Sequence, residues 1–197
     1  MNFFKSLMPL PLLLAACSPS GGTVAPPAPP LQGAKIGGAF ALTDQTGRQV
    51  TDQAFAGKYR IMYFGYTFCP DVCPTTAQVI GQAMRKLDQS DPKLSARIVP
   101  VFVTVDPQRD TPAVLKQFVA AFHPRFVGLT GSVAAIERMK KLYGVAASKE
   151  AVQPNGSYLM GHSNAVYLMD PAGKPLALLP TDQGADAVAA EIERWAK

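Results

Sequence analysis

Histidine, cysteine and tryptophan are scarce in this chain, whose 197 residues include two histidines, three cysteines and one tryptophan. So few cysteines exclude a small fold held together by a network of disulfides. Charged residues are also few, at 17%, and the net charge of +5 comes from basic residues dispersed among acidic ones. A nucleic-acid-binding protein would cluster Lys and Arg with interleaved aromatic residues, so we do not expect nucleic acid as a partner.

Hydrophobic residues make up 48% of the chain, which is enough for the core of one domain. The apolar run at 7–14 is too short to span a bilayer, which takes about 20 residues. Because Lys5 precedes this run and small residues follow it, the segment has the layout of a secretory signal. The sequence LAAC at 14–17 resembles a lipobox and predicts a lipoprotein signal peptide over residues 1–16, with lipid on Cys17. An ordinary signal peptide that ends near a cysteine is the alternative.

Prolines are concentrated directly after Cys17. The sequence SPSGGTVAPPAPP at 18–30 offers no large side chain to bury and is typical of an extended, semi-rigid spacer. We therefore expect residues 17–34 to form a lipidated cysteine and a Pro/Gly-rich tether. This tether would hold the following domain off a membrane of the bacterial cell envelope, on the periplasmic side. The sequence does not distinguish the inner membrane from the outer membrane.

The remaining residues, 35–197, alternate between strand and helix patterns. Buried or alternating strands are predicted at 39–43, 48–51, 60–66, 98–105, 165–169 and 175–179. Amphipathic or capped helices are predicted at 75–87, 112–122, 132–143 and 186–196. This order predicts an α/β domain with a mixed sheet and helices on both faces, a thioredoxin-like fold with an N-terminal β-hairpin extension.

Two cysteines are left for the folded domain, Cys69 and Cys73. They follow a buried strand and precede a helix, at a strand carboxyl end, where ligands gather in open α/β sheets. We expect the positive start of the helix to favour the thiolate form of both sulfurs. Their i, i+4 spacing lets them bond each other or share a metal. A purely structural disulfide is the alternative, but a bridge that closes so short a loop stabilises little.

Of the two histidines, His162 is the candidate for a third ligand. It is predicted to open the closing hairpin after Gly161, although a histidine in a surface turn fits the sequence equally well. His123 lies at a predicted helix end, where imidazole contacts the last carbonyls, and we interpret it as structural. Two thiolates and an imidazole form a soft ligand set that suits copper, above all Cu(I). Structural zinc would take a fourth ligand, for which the sequence shows no candidate.

The segment 106–112 follows the second buried strand and should lie at the same edge of the sheet. Asp110 and Thr111 fit a role as helix caps. Asp106 is not explained by capping, so we expect it to orient a ligand or tune a thiol without binding the metal itself.

Three separated motifs resemble the Sco/SenC family: FGYTFCPDVCP at 64–74, VDP and RDTP within 105–112, and HS at 162–163 followed by YLMDPAG. The resemblance extends from about Ile36 to the end of the chain. It implies a thioredoxin-like fold, a membrane anchor and delivery of copper to the dinuclear copper centre of cytochrome c oxidase. By this resemblance Cys69, Cys73 and His162 are the copper ligands. The implied partners are the copper-site subunit of the oxidase and other copper carriers.

Two further functions stay open alongside copper delivery. In a thiol–disulfide oxidoreductase, one thiolate would attack a disulfide of the oxidase copper site or of another exported protein, and the second would resolve the mixed disulfide. This activity is compatible with metal binding, because the reduced pair is the form that binds metal. A thiol peroxidase is the third alternative. The sequence thus leaves an assembly factor and an enzyme open, with Cu(I) as the first candidate cargo and Cu(II) as the second.

Overall fold

A computed structural model describes residues 27–197 together with Met1. The predicted signal peptide, the predicted lipid site at Cys17 and most of the predicted tether lie outside these described residues. Within them, no helix is both long enough and apolar enough to cross a membrane.

The domain consists of strands and helices in alternation. Its strands are β1 (Ala41–Asp44), β2 (Gln49–Thr51), β3 (Tyr59–Gly65), β4 (Ile98–Thr104), β5 (Val127–Thr130), β6 (Ala147–Lys149), β7 (Met160–His162), β8 (Val166–Met169) and β9 (Pro175–Leu178). Its helices are α1 (Val72–Ser90), α2 (Pro92–Ser95), α3 (Pro112–Ala120), α4 (Val133–Tyr143) and α5 (Ala185–Trp195). Single 3-10 turns occupy Asp52–Phe55 and Thr181–Gln183.

Seven strands form one mixed sheet in the order β2-β1-β5-β4-β3-β8-β9, and β6 pairs with β7 in a separate two-stranded sheet. Strand β3 runs parallel to β4 and antiparallel to β8, and β4 runs parallel to β5. Every residue of β3 is buried, as the nearly continuous apolar run predicts for a central strand. Because β3 and β4 are parallel neighbours, their carboxyl ends meet at one edge of the sheet.

Helices cover both faces of the sheet, because side chains of a strand alternate between its faces. On one face Tyr63 of β3 packs in a cluster with Ile80 of α1 and Ile192 of α5. On the other, Phe64 meets Tyr143 of α4 with ring centroids 5.1 Å apart. The β1–β2 hairpin extends the sheet by pairing with β5. The predicted mixed sheet, its two helical faces and its N-terminal hairpin are therefore present.

The predicted starts of two helices are confirmed by their caps. The Thr111 side chain accepts from the backbone N–H of Val114 at 3.3 Å, ahead of α3. The Ser132 side chain accepts in the same way from Ala135 at 3.2 Å, ahead of α4. Each cap satisfies an N–H group that has no partner inside its helix.

Three local predictions are wrong. Helix α1 begins at Val72 and not at Thr75, which places Cys73 in its first turn. Strand β5 and the β6–β7 sheet are absent from the sequence prediction, because β5 and β7 each contain a glycine, which is depleted in strands, and because a long connection instead of a short turn joins β6 to β7. Consequently His162 does not open the closing hairpin: it ends β7, before the β8–β9 hairpin begins.

Candidate metal-binding thiol site

The two thiols lie where the chain leaves β3 and enters α1. Cys69 is in the connecting loop, and Cys73 is the second residue of the helix. Glycine at position 65 brings the helix start close to the strand, because a Cβ there would stand 3.0 Å from the Cys73 sulfur and 2.9 Å from Cε2 of Phe102. A side chain at this strand end would thus displace Cys73.

The thiols differ in their surroundings although they are four residues apart. Both are free, Cys69 partly exposed and Cys73 fully buried. The backbone N–H of Cys73 donates to the Cys69 sulfur at 3.3 Å. This contact aims the Cys69 sulfur at the first turn of α1.

His162 reaches the same place from the separate β6–β7 sheet. Its Nε2 lies 3.2 Å from the Cys73 sulfur, and its Nδ1 lies 3.0 Å from the carbonyl oxygen of Ser163. Because a carbonyl oxygen only accepts hydrogen bonds, Nδ1 carries the proton and the lone pair of Nε2 faces the thiol. Tyr66 packs against the imidazole in an edge-to-face contact, with ring centroids 5.9 Å apart. The imidazole is thus oriented as a metal-binding histidine would be.

The two thiols have pKa values shifted in opposite directions. Partial burial acts to raise the pKa of Cys69, but hydrogen bonds to its sulfur, first from the backbone of Asp71 and Cys73, outweigh burial and lower it. Burial raises the pKa of Cys73 to about 12, and the neighbouring Cys69 adds to the rise. The expectation that the helix start favours both thiolates is therefore wrong for Cys73, since loss of hydration outweighs the helix dipole there.

Asp110 is a site residue that sequence reasoning missed, because it fitted a role as a helix cap. Its fully buried carboxylate accepts from the Thr67 backbone N–H at 3.0 Å, from the Thr67 hydroxyl at 2.6 Å and from the Thr104 hydroxyl at 2.6 Å. Thr111 alone caps α3. Asp110 therefore ties the loop that carries Cys69 to the end of β4. Its place in a strand-end motif at the same sheet edge was the available signal.

Asp106 is buried at the same sheet edge, but the hydrogen-bond partners of its carboxylate are neither thiol nor imidazole. Its carboxylate accepts from Nε of Arg109 and, at 3.0 Å, from the hydroxyl of Tyr158. The Arg109 guanidinium in turn lies over the rings of Tyr158, Phe68 and Tyr66, with its carbon 3.6, 4.9 and 5.6 Å from their centroids. Asp106 therefore reaches the thiol site through other side chains, Arg109 and Tyr158, and its role in orienting a ligand without binding the metal stays a prediction.

His123 is buried away from this site, as a structural histidine. Its Nε2 lies 3.0 Å from the carboxylate of Asp88, and its Nδ1 accepts from the backbone N–H of Arg125 at 3.2 Å. The predicted contact with helix carbonyls is replaced by this carboxylate pair.

In residues 27–197, no three Cys, His, Asp or Glu side chains stand at the mutual distances of a formed metal site. Cys73 is the common neighbour of the other two candidates: its backbone N–H lies 3.3 Å from the Cys69 sulfur, and its own sulfur lies 3.2 Å from His162 Nε2. Two sulfurs and one imidazole nitrogen are soft or borderline donors, which fit a thiophilic ion such as Cu(I) and fit Mg²⁺ or Ca²⁺ poorly.

The sheet order and the thiols at the β3–α1 junction define a thioredoxin-like protein. The thioredoxin domain of a thiol-disulfide oxidoreductase from Bacteroides vulgatus shares this fold, with a TM-score of 0.56 over 82% of this chain and 96% of that chain at 15% identity. The predicted fold class is confirmed.

The family is shown by sequence as well as by fold. The sequence model of the SCO1/SenC family matches residues 28–197, and the chain belongs to this family. Saccharomyces cerevisiae Protein SCO2, mitochondrial, is 41% identical over 140 residues, which is 71% of this chain and 46% of that protein. A SCO2-like protein of Rickettsia felis is 39% identical over 145 residues, 72% of this chain and 68% of that protein. The chain thus spans about half the length of its yeast relative, and its relatives are both mitochondrial and bacterial.

Among solved structures, Bradyrhizobium japonicum ScoI with copper bound is 38% identical, with a TM-score of 0.74 over 81% of this chain and 99% of that chain. The family resemblance of the three motifs is therefore confirmed.

Proposed function

We propose that the protein is a copper metallochaperone in which Cys69, Cys73 and His162 hold the ion. The observation that carries this proposal is the 3.2 Å approach of His162 Nε2 to the Cys73 sulfur, across 89 residues of chain. The lone pair of that nitrogen points at the thiol because Nδ1 is held by the Ser163 carbonyl. Copper bound in solved relatives, such as ScoI of B. japonicum, supports copper as the cargo.

Cu(I) is the first candidate form of the cargo, because two thiolates and one imidazole satisfy its preference for few, soft ligands. When copper binds, Cys73 gives up its thiol proton to solvent, and the lone pair of His162 Nε2 stays free to bind the ion. Cu(II) is the second candidate form.

The recipient is the copper-site subunit of cytochrome c oxidase, with other copper carriers as further partners. The ion leaves by ligand exchange on the Cys69 side, where the sulfur is partly exposed and its neighbours Phe68 and Val72 are 51% and 46% exposed. A site with three protein ligands leaves room for an incoming ligand of the recipient.

Attachment to a membrane is part of the proposal. Lipid on Cys17 and the Pro/Gly-rich segment at 18–30 would tether the domain to the bacterial envelope, facing the periplasm. Metabolic labelling with a radioactive fatty acid tests this step: wild type should take up label, and Cys17→Ser should not.

The test of metal binding is an anaerobic Cu(I) titration of the reduced protein against a competing chelator. Wild type should bind one Cu(I), and Cys69→Ser, Cys73→Ser and His162→Ala should each compete less well. Cys17→Ser is the matched control, since it changes a cysteine outside the proposed site and should bind as wild type does. Equal competition by wild type and the three site variants would refute the ligand set.

A second function, thiol–disulfide exchange, is favoured by the unequal thiols. Cys69, partly exposed and with a lowered pKa, fits the attacking thiolate, and buried Cys73 fits the resolving thiol. The Cys69 thiolate attacks a partner disulfide, forms a mixed disulfide and releases one partner thiolate. Cys73 then loses its proton and attacks the Cys69 sulfur, which leaves an oxidised Cys69–Cys73 pair and a fully reduced partner.

The two functions are separable by trapping. Cys73→Ser, which keeps the attacking thiol, should accumulate a mixed disulfide with a peptide that contains an oxidised Cys pair. Cys69→Ser should not. Equal trapping by both variants would contradict the assigned roles.

A further inference from the structure

The hairpin that carries His162 needs support from outside itself. Strands β6 and β7 pair through three residues each and do not join the central sheet. A two-stranded hairpin is marginally stable alone. The segment 150–157 that connects its strands is exposed throughout. The position of His162 therefore depends on contacts between this hairpin and the rest of the domain.

Arg109 provides a contact of this kind. Its Nη1 donates to the backbone carbonyl of Tyr158 at 2.9 Å, and its guanidinium lies over the Tyr158 ring. The same guanidinium faces the rings of Phe68 and Tyr66, which flank the thiol loop on the other side. One cation thus touches both segments that bear proposed ligands: the loop of Cys69 and the hairpin of His162.

Two further bonds fix this arginine and the tyrosine on which it lies. The Arg109 Nε donates to Asp106, whose carboxylate also accepts from the Tyr158 hydroxyl at 3.0 Å. Asp106 is 3% exposed, so water competes little for these bonds. A planar guanidinium can stack on aromatic rings and donate in its own plane at once, which a lysine ammonium cannot do.

We propose that Arg109, which donates to Asp106 and stacks on the ring of Tyr158, is a positioning residue that orients His162 toward the two thiols. The prediction for Cu(I) affinity rests on the proposed function, whereas the prediction for the metal-free protein does not depend on it. Without Arg109 the thiol loop keeps its Asp110 anchor and Tyr66 keeps its contact with the His162 ring, but Tyr158 of the hairpin connection loses the guanidinium that joins it to Phe68. The imidazole then no longer holds one orientation toward Cys73.

The metal-free test is nitrogen-15 NMR of the His162 ring in the reduced protein. Wild type should show the single Nδ1–H tautomer. Arg109→Gln should show averaged ring-nitrogen shifts, and so should Tyr158→Leu, which changes only the hairpin side. Arg48→Gln is the matched control, since Arg48 pairs with Asp44 in the distant β1–β2 hairpin, and it should leave the His162 signals unchanged. Unchanged His162 signals in folded Arg109→Gln and Tyr158→Leu would overturn the proposal.

The metal readout is a double-mutant cycle on Cu(I) affinity. In the wild-type background Arg109→Gln should weaken Cu(I) binding about tenfold, as expected when a metal ligand loses the residue that orients it. In the His162→Ala background the same change should have no further effect on Cu(I) binding. Equal losses in both backgrounds would mean that Arg109 acts independently of His162 and would refute the positioning role. If wild type itself binds no copper, the proposed function fails, and the NMR result still decides the role of Arg109.

Discussion

Replacement of Asp110 by alanine tests whether this carboxylate anchors the thiol loop. The change removes the acceptor for the Thr67 N–H, the Thr67 hydroxyl and the Thr104 hydroxyl in a fully buried place. Each buried donor left without a partner costs about 1–3 kcal/mol, and relief from burying a carboxylate offsets part of the total. We expect a net loss of about 3 kcal/mol in the free energy of unfolding. Thr111→Ala, which removes one helix cap, should lose about 1 kcal/mol.

The loss should also depend on pH in a definite direction. Burial raises the pKa of Asp110 above its ordinary value of 3.8, and Asp106 adds to the rise. The folded protein therefore keeps this proton at pH values where the unfolded chain has released it. Stability from this group is fully present below the unfolded pKa and falls as pH rises through the folded pKa.

Urea unfolding of wild type, Asp110→Ala and Thr111→Ala between pH 4 and pH 7 measures both effects. The difference between wild type and Asp110→Ala should be larger at pH 4 than at pH 7. A loss no greater than that of Thr111→Ala, or one that grows with pH, would refute the assignment of Asp110 as a buried anchor.

Three other predictions concern the thiols and the strand end beside them. In the native reduced protein at pH 7, iodoacetamide should modify Cys69 well before Cys73, because Cys69 is partly exposed and has a lowered pKa. Mass spectrometry that shows equal labelling of the two cysteines without urea would contradict this difference in reactivity. Because burial raises the pKa of Cys73 to about 12, Cu(I) binding must displace the thiol proton, and the affinity for Cu(I) should rise by about tenfold per pH unit from pH 6 to pH 8. A Cu(I) affinity that does not change with pH would show that Cys73 is not a ligand. Gly65→Ala should lower the free energy of unfolding by about 1–3 kcal/mol, since its Cβ would meet the Cys73 sulfur at 3.0 Å. In the control variant Gly161→Ala, the free energy of unfolding should change by less than about 0.5 kcal/mol, since the new Cβ would meet nothing closer than the flexible end of Glu150 at 3.4 Å. Equal losses in the two variants would refute a packing role for Gly65.

The long, regular elements could be predicted from the sequence because their patterns are local. Strand β3 is a nearly continuous apolar run, and helices α3 and α4 begin directly after Thr111 and Ser132, whose side chains cap them. The β6–β7 sheet could not be predicted in the same way. Its strands have three residues each, and their pairing joins Ala147 to His162 across an exposed connection.

The site shows the same division. Cys69 and Cys73 are close in sequence and lie at a strand-to-helix junction, so their motif alone indicated shared chemistry. Asp110 and Arg109 belong to a motif that also fits helix capping and turn formation. Their partners, Thr67 and Tyr158, are 43 and 49 residues away, so only the folded chain reveals which role each plays.

By itself the sequence determined the fold class, the strand-to-helix placement of the two cysteines and the soft donor types available to a metal, because these follow from periodicity and residue chemistry. The tertiary structure decided that His162 faces Cys73, that Asp110 anchors the thiol loop and that the two thiols differ in pKa. These features depend on burial and on contacts between distant segments. A thiol four residues from another acquires a raised pKa only when packing removes its water, and that packing exists only in the folded protein.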